Sequence, residues 1–387
     1  MPSSSEQRTT NNGQPLTKMK AAVLYELNQP VVVEELELEK PKEREVLVKM
    51  VASGVCHSDL SVTNGTIPLP LPIVLGHEGA GIVEEVGPGV TAVKPGDHVI
   101  LSWVPNCGRC SFCATGKSYL CEARALTRGG TMLDGTRRIH KGTKEYNHML
   151  GVSTMATHTV VPEISLVRID PDIPLREAAL IGCGVMTGVG AVINTARVEP
   201  GSRVAVFGAG GVGLNVIQGA VLASAETIIA VDLLDRKLQF AKQFGATHLI
   251  NASREDPVQK IKDLTGGGVD YAFEAIGHGT VITQAYQATR RGGTTVVIGV
   301  AAPGVQASIP ANTLVLEEKT LKGSYYGSAR VQVDIPRLVR LYKSGRLKLG
   351  ELISNTYPLE EINKAFEDLQ KGENARGVLV HSQAIDN

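Results

Sequence analysis

The segment VAVFGAGGVG, residues 204–213, constrains this chain more than any other. It sets Gly208-x-Gly210-x-x-Gly213 directly after a short apolar run and at the head of a helix pattern, GVGLNVIQGAVLAS. Three glycines so spaced suit a tight turn, close approach of backbone to a pyrophosphate, and close helix–sheet packing, with Gly211 and Val212 in the same turn. The positive end of the helix then favours the phosphate charge. The alternation continues through TIIAVDLL, DRKLQFAKQFGA, HLIN, PVQKIKDLTG, VDYAFEAIG and TTVVIGV. Strands alternating with helices predict a doubly wound parallel α/β sheet with right-handed crossovers. Asp232 closes the second strand, where a carboxylate meets an adenosine ribose and repels a 2'-phosphate, which favours NAD over NADP. Lys237, one turn into the next helix, is a candidate for a ribose or phosphate contact. The plainer alternatives are a helix cap for Asp232 and a solvated helix lysine for Lys237.

The first third of the chain has a different period. From Met19 to Val104, short apolar runs such as MKAAVLYEL, EVLVKMVASGV and GAGIVEEVG alternate with Gly and Pro punctuation, which reads as β-rich. With 387 residues, two domains are expected. Lys plus Arg equals Asp plus Glu, 39 each, so no broad basic surface for nucleic acid is expected. No apolar run reaches the length of a membrane span, and MPSSSEQRTTNNGQPLTK lacks the apolar core of a secretory signal. Residues 1–17 read as a flexible polar tail, and the chain as cytoplasmic, where thiols stay reduced.

Four of the six cysteines fall in CGRCSFCATGKSYLC. The spacing C-x2-C-x2-C-x7-C admits three readings: a disulfide pair, an iron–sulfur cluster, or a closed four-thiolate zinc site. The compartment disfavours the first. Ferredoxin-type motifs continue with a fourth cysteine after three residues and then proline, whereas here the gap is seven and Glu122 follows. Zn2+ takes four thiolates as a tetrahedron, and Gly108, Ser111, Ala114 and Gly116 let the loop wrap that closely. Cys56 in GVCHSDL, Cys183 in LIGCGVMTG, and His77 with Glu78 in LGHEGAGIVEEVG are each, alone, readable as ordinary buried residues. They gain meaning if the fold brings them together.

Taken together, GVCHSDL, GHEGAGIVEEVG, the four-cysteine loop and the later GAGGVG resemble the medium-chain zinc alcohol dehydrogenases, from about Lys18 to Val380. GTMLDGTRRI and HMLGVSTMATHTVVPEISLVRID further resemble the dimeric long-loop alcohol dehydrogenases and the glutathione-dependent formaldehyde dehydrogenases. The resemblance implies a GroES-like catalytic domain built from residues 18–184 and 325–387, and a Rossmann NAD-binding domain from 185–324. It implies two Zn2+ per chain: a catalytic ion on Cys56, His77 and Cys183, a ligand set the general rules on zinc sites also give for alcohol dehydrogenase, and a structural ion on Cys107, Cys110, Cys113 and Cys121. By the same resemblance, Ser58 takes the alcohol proton, Asp59 orients the ligand histidine, Glu78 lies behind the metal, and His57 and Arg376 contact the cofactor pyrophosphate. Ser61 stands where many members end their proton relay on histidine. Trp103, Met149 and Leu150 are implied to line an apolar pocket. The implied activity is hydride transfer between NAD and a primary aliphatic or benzylic alcohol, in a homodimer. S-(hydroxymethyl)glutathione is the alternative substrate, with Arg124 near the relevant stretch. A non-catalytic NAD-binding protein is the rival of another class; it has no need of Cys56, His77 and Cys183.

Overall fold

The computed structural model describes residues 16–381. Most of the expected polar tail lies outside them, and the strand Thr17–Leu24 already begins at the tail's last residue. The six-stranded sheet is wholly parallel, ordered His248–Asn251, Thr227–Asp232, Arg203–Phe207, Val269–Glu274, Thr289–Val297, Thr320–Gly323. Chain order reverses between Arg203–Phe207 and Val269–Glu274, and such switch points open a crevice at the carboxyl ends of the strands. The inner strands Arg203–Phe207 and Thr227–Asp232 are near-continuous apolar runs because helices cover both faces. Val204 and Val206 face one core with Phe273 and Leu214, while Ala205 and Phe207 face another with Ile229 and Ile261. Each of these valine, leucine, isoleucine and phenylalanine side chains, fully buried, contributes roughly 1.5–3 kcal/mol.

The second unit is β-rich. A seven-stranded sheet runs Leu166–Ile169, His98–Leu101, Gly79–Val86, Glu45–Val55, Arg376–Val380, Ile353–Pro358, with His158–Pro162 also pairing Glu45–Val55. The long strand Glu45–Val55 organises it, because one edge takes Gly79–Val86 and the other takes His158–Pro162 and then Arg376–Val380. The C-terminal strand therefore inserts beside the first third of the chain, pairing Gly377 with Val55. A small closed barrel of Thr17–Leu24, Val32–Leu38, Ile139–Lys141, Lys144–His148 and Ile73–Val74 completes the unit. Arg138, fully buried, clamps the barrel to the sheet through Glu45 (2.8 and 2.6 Å) and Asp134 (2.7 Å).

The helix Gly184–Gly190 spans the boundary expected at residue 184 and continues as a π-helical turn, Ala191–Ala196. It packs on the helix Gly211–Leu222 that follows the glycine-rich turn, in the largest apolar cluster. No single helix among the described residues is long and apolar enough to cross a membrane.

Candidate active site

Cys56 ends the strand Glu45–Val55 and caps the helix His57–Thr63. His77 precedes the antiparallel partner strand, whose register sets Gly79 opposite Ser53, so both residues emerge at one end of the sheet. Gly76 makes the approach possible: φ is +99°, and a Cβ there would lie 2.3 Å from the Met155 nitrogen. Cys183 stands between the short helical turn Leu180–Gly182 and the helix Gly184–Gly190. It is tied down on both sides. The Tyr326 hydroxyl donates to the Gly182 carbonyl (2.6 Å), and the Gly184 N–H donates to the Glu78 carboxylate (3.0 Å).

The Sγ atoms of Cys56 and Cys183 and a ring nitrogen of His77 consequently lie within 4.8 Å of one another, all buried. Asp59 accepts from the Cys56 N–H (3.3 Å) with one oxygen and holds His77 Nδ1 (3.0 Å) with the other. His77 Nε2 is buried and has no hydrogen-bond partner among the described residues. A buried imidazole nitrogen without a partner costs free energy unless something binds it. Two thiols and that lone pair form the soft nitrogen–sulfur donor set that zinc takes, and three protein ligands leave a coordination place open. The hydrogen bond between the two thiols lowers the Cys56 pKa well below the usual thiol range and raises that of Cys183. Burial opposes charge on His77, but the Asp59 carboxylate outweighs it and raises the imidazole pKa.

Behind this cluster, Glu78 and Arg376 form a buried ion pair. Burial pushes the Glu78 carboxyl up to about 7 against the pull of Arg376. Arg376 also reaches the other half of the molecule, since a Cβ on Gly211 would lie 2.4 Å from its Cδ. Its Nε is buried without a partner among the described residues. Gly213 packs so tightly that a Cβ would lie 1.7 Å from the Gly208 carbonyl oxygen, whereas a Cβ on Gly210 would meet nothing within 4 Å. That free space at a helix N-terminus, flanked by an unsatisfied guanidinium nitrogen, suits a pyrophosphate. Asp232 ends its strand and accepts from the N–H groups of Ala209 (2.9 Å), Leu233 (2.8 Å) and Leu234 (3.1 Å), which fixes its carboxylate beside the turn. His57 is exposed, and its pKa is lowered by desolvation within the cleft and by the charges of Lys237 and Arg376, against the pull of Cys56. Lys237 also lies against Gly372.

Ser58 is partly exposed on the first turn of the helix after Cys56, and Ser61 one turn further on. Trp103 stacks edge-on to His77 (6.2 Å between centroids) and against Tyr325 (5.4 Å) and Tyr326 (4.6 Å). Met149 is buried in an apolar cluster that Leu60 and Leu150 flank. Sequence reasoning misses Tyr325, Tyr326 and Arg128, since nothing in their spacing marks them. Arg124 lies over the Tyr325 ring (4.9 Å), and Arg128 also acts on that phenol.

The four remaining cysteines also converge, with all four Sγ atoms within 4.8 Å of one another. Backbone N–H groups point at the sulfurs, from Cys110 to Cys107 (3.4 Å), from Cys113 to Cys110 (3.5 Å) and from Cys107 to Cys121 (3.5 Å). Such donors hold Cys110 down to about 6, through the N–H groups of Glu122 and Cys113, whereas burial outweighs them at Cys113, pushed up to about 12, and at Cys121, also raised. Four thiols leave no open place, so this donor set suits a structural zinc.

Fold and site together define a two-domain, metal-binding dehydrogenase. The family models agree: "Alcohol dehydrogenase GroES-like domain" matches residues 42–171, and "Zinc-binding dehydrogenase" matches residues 211–344. An S-(hydroxymethyl)glutathione dehydrogenase of Saccharomyces cerevisiae is 45% identical over 377 residues, covering 95% of this chain and 97% of that protein. An NDMA-dependent alcohol dehydrogenase of Amycolatopsis methanolica is 44% identical over 369 residues, covering 94% and 99%. Among solved structures, benzyl alcohol dehydrogenase from Acinetobacter calcoaceticus superposes with a TM-score of 0.90 at 38% identity, covering 95% of this chain and all of that one. The chain belongs to the medium-chain zinc-dependent alcohol dehydrogenase family.

Proposed function

We propose that this protein is a cytoplasmic, homodimeric enzyme that moves a hydride between a primary alcohol, aliphatic or benzylic, and NAD. The observation that carries the reading is the convergence of Cys56, His77 and Cys183 around an unpartnered imidazole nitrogen, beside the glycine-rich turn. Held there, a zinc ion supplies Lewis acidity toward an alcohol or carbonyl oxygen, and bound NAD supplies the hydride acceptor. Asp59 keeps His77 in the tautomer that leaves Nε2 free to ligate. Gly208–Gly213, Arg376 and His57 bind the pyrophosphate, and Asp232 with Lys237 holds the adenosine ribose. Ser58 takes the alcohol proton, and His57 or water receives it next, since Ser61 cannot serve as the imidazole terminus of a relay. Glu78 keeps Arg376 and the Gly184 N–H in place behind the metal. Trp103, Met149 and Leu150 exclude water from the reacting carbon and select an apolar substituent. The catalytic unit comprises residues 18–184 and 325–387, and the cofactor unit residues 185–324.

Metal analysis and a substrate panel test this. About two zinc ions per chain are expected, with NAD-linked oxidation of short aliphatic, long aliphatic or benzylic alcohols. Cys183→Ala abolishes turnover and leaves NAD binding intact; loss of NAD binding as well counts against the assignment, and a zinc-free protein ends it.

A second reading, oxidation of S-(hydroxymethyl)glutathione, has its own support. Arg124 and Arg128 set two cations around Tyr325, which itself stacks on Trp103. A glutathione adduct brings carboxylates that such cations pair with. Including that adduct in the panel separates the two.

A further inference from the structure

Glu274 is the last residue of the strand Val269–Glu274, at the switch point of the parallel sheet. It lies in register with Phe207, the residue before Gly208, on one side and with Val297 on the other. Its side chain is fully buried. A carboxylate in that position is costly unless it is compensated. Here one oxygen accepts from the backbone N–H groups of Ile276 (2.9 Å), Gly277 (2.7 Å) and His278 (3.4 Å), and the other has no hydrogen-bond partner among the described residues. The main-chain carbonyl of the same residue accepts from Ile298 (2.8 Å) and Gly299 (3.1 Å). One residue thus fastens two loops that rim the crevice, its own and the one after Thr289–Val297.

The loops are locked together. A Cβ on Gly299 would lie 2.0 Å from the Gly277 nitrogen, and Gly277 itself has φ of +87°. Ile276 then leans over the glycine-rich turn, since a Cβ on Gly208 would lie 2.6 Å from its Cγ1. Ile276 and Val300 are 53% and 59% exposed, two large apolar side chains presented at the rim instead of being packed inside.

We infer that Glu274 is a positioning residue of the cofactor crevice, whose carboxylate holds the 275–278 loop so that Ile276 forms an apolar wall for the bound dinucleotide. The inference rests on the proposed NAD binding. Without the carboxylate, the Ile276, Gly277 and His278 N–H groups lose the buried acceptor that draws them inward, and at this half-exposed rim they turn to water instead, which carries the loop outward. Ile276 leaves Gly208 with it. Glutamine keeps one carbonyl oxygen for the same three donors and so preserves the loop.

NADH titration of the zinc-loaded protein, followed by its fluorescence, tests this. Glu274→Ala is expected to raise the dissociation constant about tenfold, because a loop without its anchor leaves the Ile276 wall formed in only a minority of molecules. Glu274→Gln restores it to about the wild-type value, and zinc content stays the same in both. Ile276→Ala also weakens binding, and combining it with Glu274→Ala costs nothing further, because the two act in series. Wild-type affinity in Glu274→Ala, or losses that add in the double variant, would overturn the inference. Should Glu274→Ala fail to fold, Ile276→Ala alone decides: unchanged NADH affinity sinks the idea. Failure of the parent reading looks different, for then the wild-type protein itself binds no NADH.

Discussion

Asp59 does two things from one position, and both follow from its place three residues after Cys56. One oxygen holds the Cys56 N–H and the other holds His77 Nδ1, so a single buried carboxylate aligns two of three converging ligands. Asparagine at this site satisfies one donor at most and carries no charge to sustain the imidazole's basicity. Asp59→Asn is expected to weaken zinc binding by about 10–100-fold, the usual consequence of losing a carboxylate behind a metal-ligating histidine. Chelator competition measures it; zinc retention equal to the wild type shows that the carboxylate does not tune this site. At this scale the sequence is informative only by constellation. Cys56, His77 and Cys183 each sit in an apolar, glycine-rich stretch that a structural residue also occupies. Their resemblance to a family pattern, not their local chemistry, singles them out. Glu274 escapes notice because a lone acid after an apolar strand has no spacing partner. The N–H groups that give it meaning come from a turn whose geometry only the fold reveals.

Elements with a clean period are legible. The runs around SRVAVFG, TIIAVDLL, HLIN and TTVVIGV become Arg203–Phe207, Thr227–Asp232, His248–Asn251 and Thr289–Val297, because apolar strands separated by amphipathic helices have few other ways to pack. Partners are not legible. Nothing local tells Arg376–Val380 to lie against Glu45–Val55, or Arg376 to meet Glu78, since periodicity reports which face is buried and not what covers it. GVCHSDL forms the helix His57–Thr63, a turn that its flanking β pattern conceals. The barrel carries a further consequence. His148, wholly buried, accepts from the Arg138 N–H (3.0 Å), and burial together with the nearby Arg138 charge lowers its pKa to about 3 from an ordinary 6.5. A depressed histidine pKa means that the unfolded chain takes up the proton first. Its contribution to stability is therefore intact above about pH 6.5 and declines as pH falls toward 3. The slope approaches about 1.4 kcal/mol per pH unit for this one group. Urea unfolding between pH 7 and 4.5 measures it, above the range where Asp134, held at about 2, begins to titrate. His148→Gln keeps an acceptor for the Arg138 N–H without the titration, and so lowers the slope by up to about 1.4 kcal/mol per pH unit, leaving the part due to His381, which burial lowers to about 4; an unchanged slope rules out a contribution from His148.

At the scale of the whole molecule, the parallel sheet ends abruptly. Thr320–Gly323 pairs with Thr289–Val297 on one side, and all four of its residues are exposed. An open edge with unpaired backbone groups invites another strand, and monomeric proteins usually cover or charge such edges. Here the strand carries one charge, Lys322, whose ammonium donates to the Thr195 carbonyl (2.7 Å), and beside it stand apolar side chains: Leu321 on the strand, and on the adjoining helix Ala311–Leu316 Val315 and Leu316, 78% and 79% exposed. Two copies meeting antiparallel about a twofold axis would extend the sheet across both subunits and bury these side chains against their counterparts, a self-complementary arrangement typical of dimers. The cluster of Cys56, His77 and Cys183 lies in the other unit, and the glycine-rich turn lies at the carboxyl ends of the strands, so the proposed dimer does not depend on either. Light scattering is expected to give twice the chain mass. Val315→Glu combined with Leu316→Glu sets like charges face to face and shifts the mass to that of one chain, while NADH affinity and the zinc content persist. A variant that stays dimeric shows that the subunits associate through another face, and the exposed edge then needs a different partner.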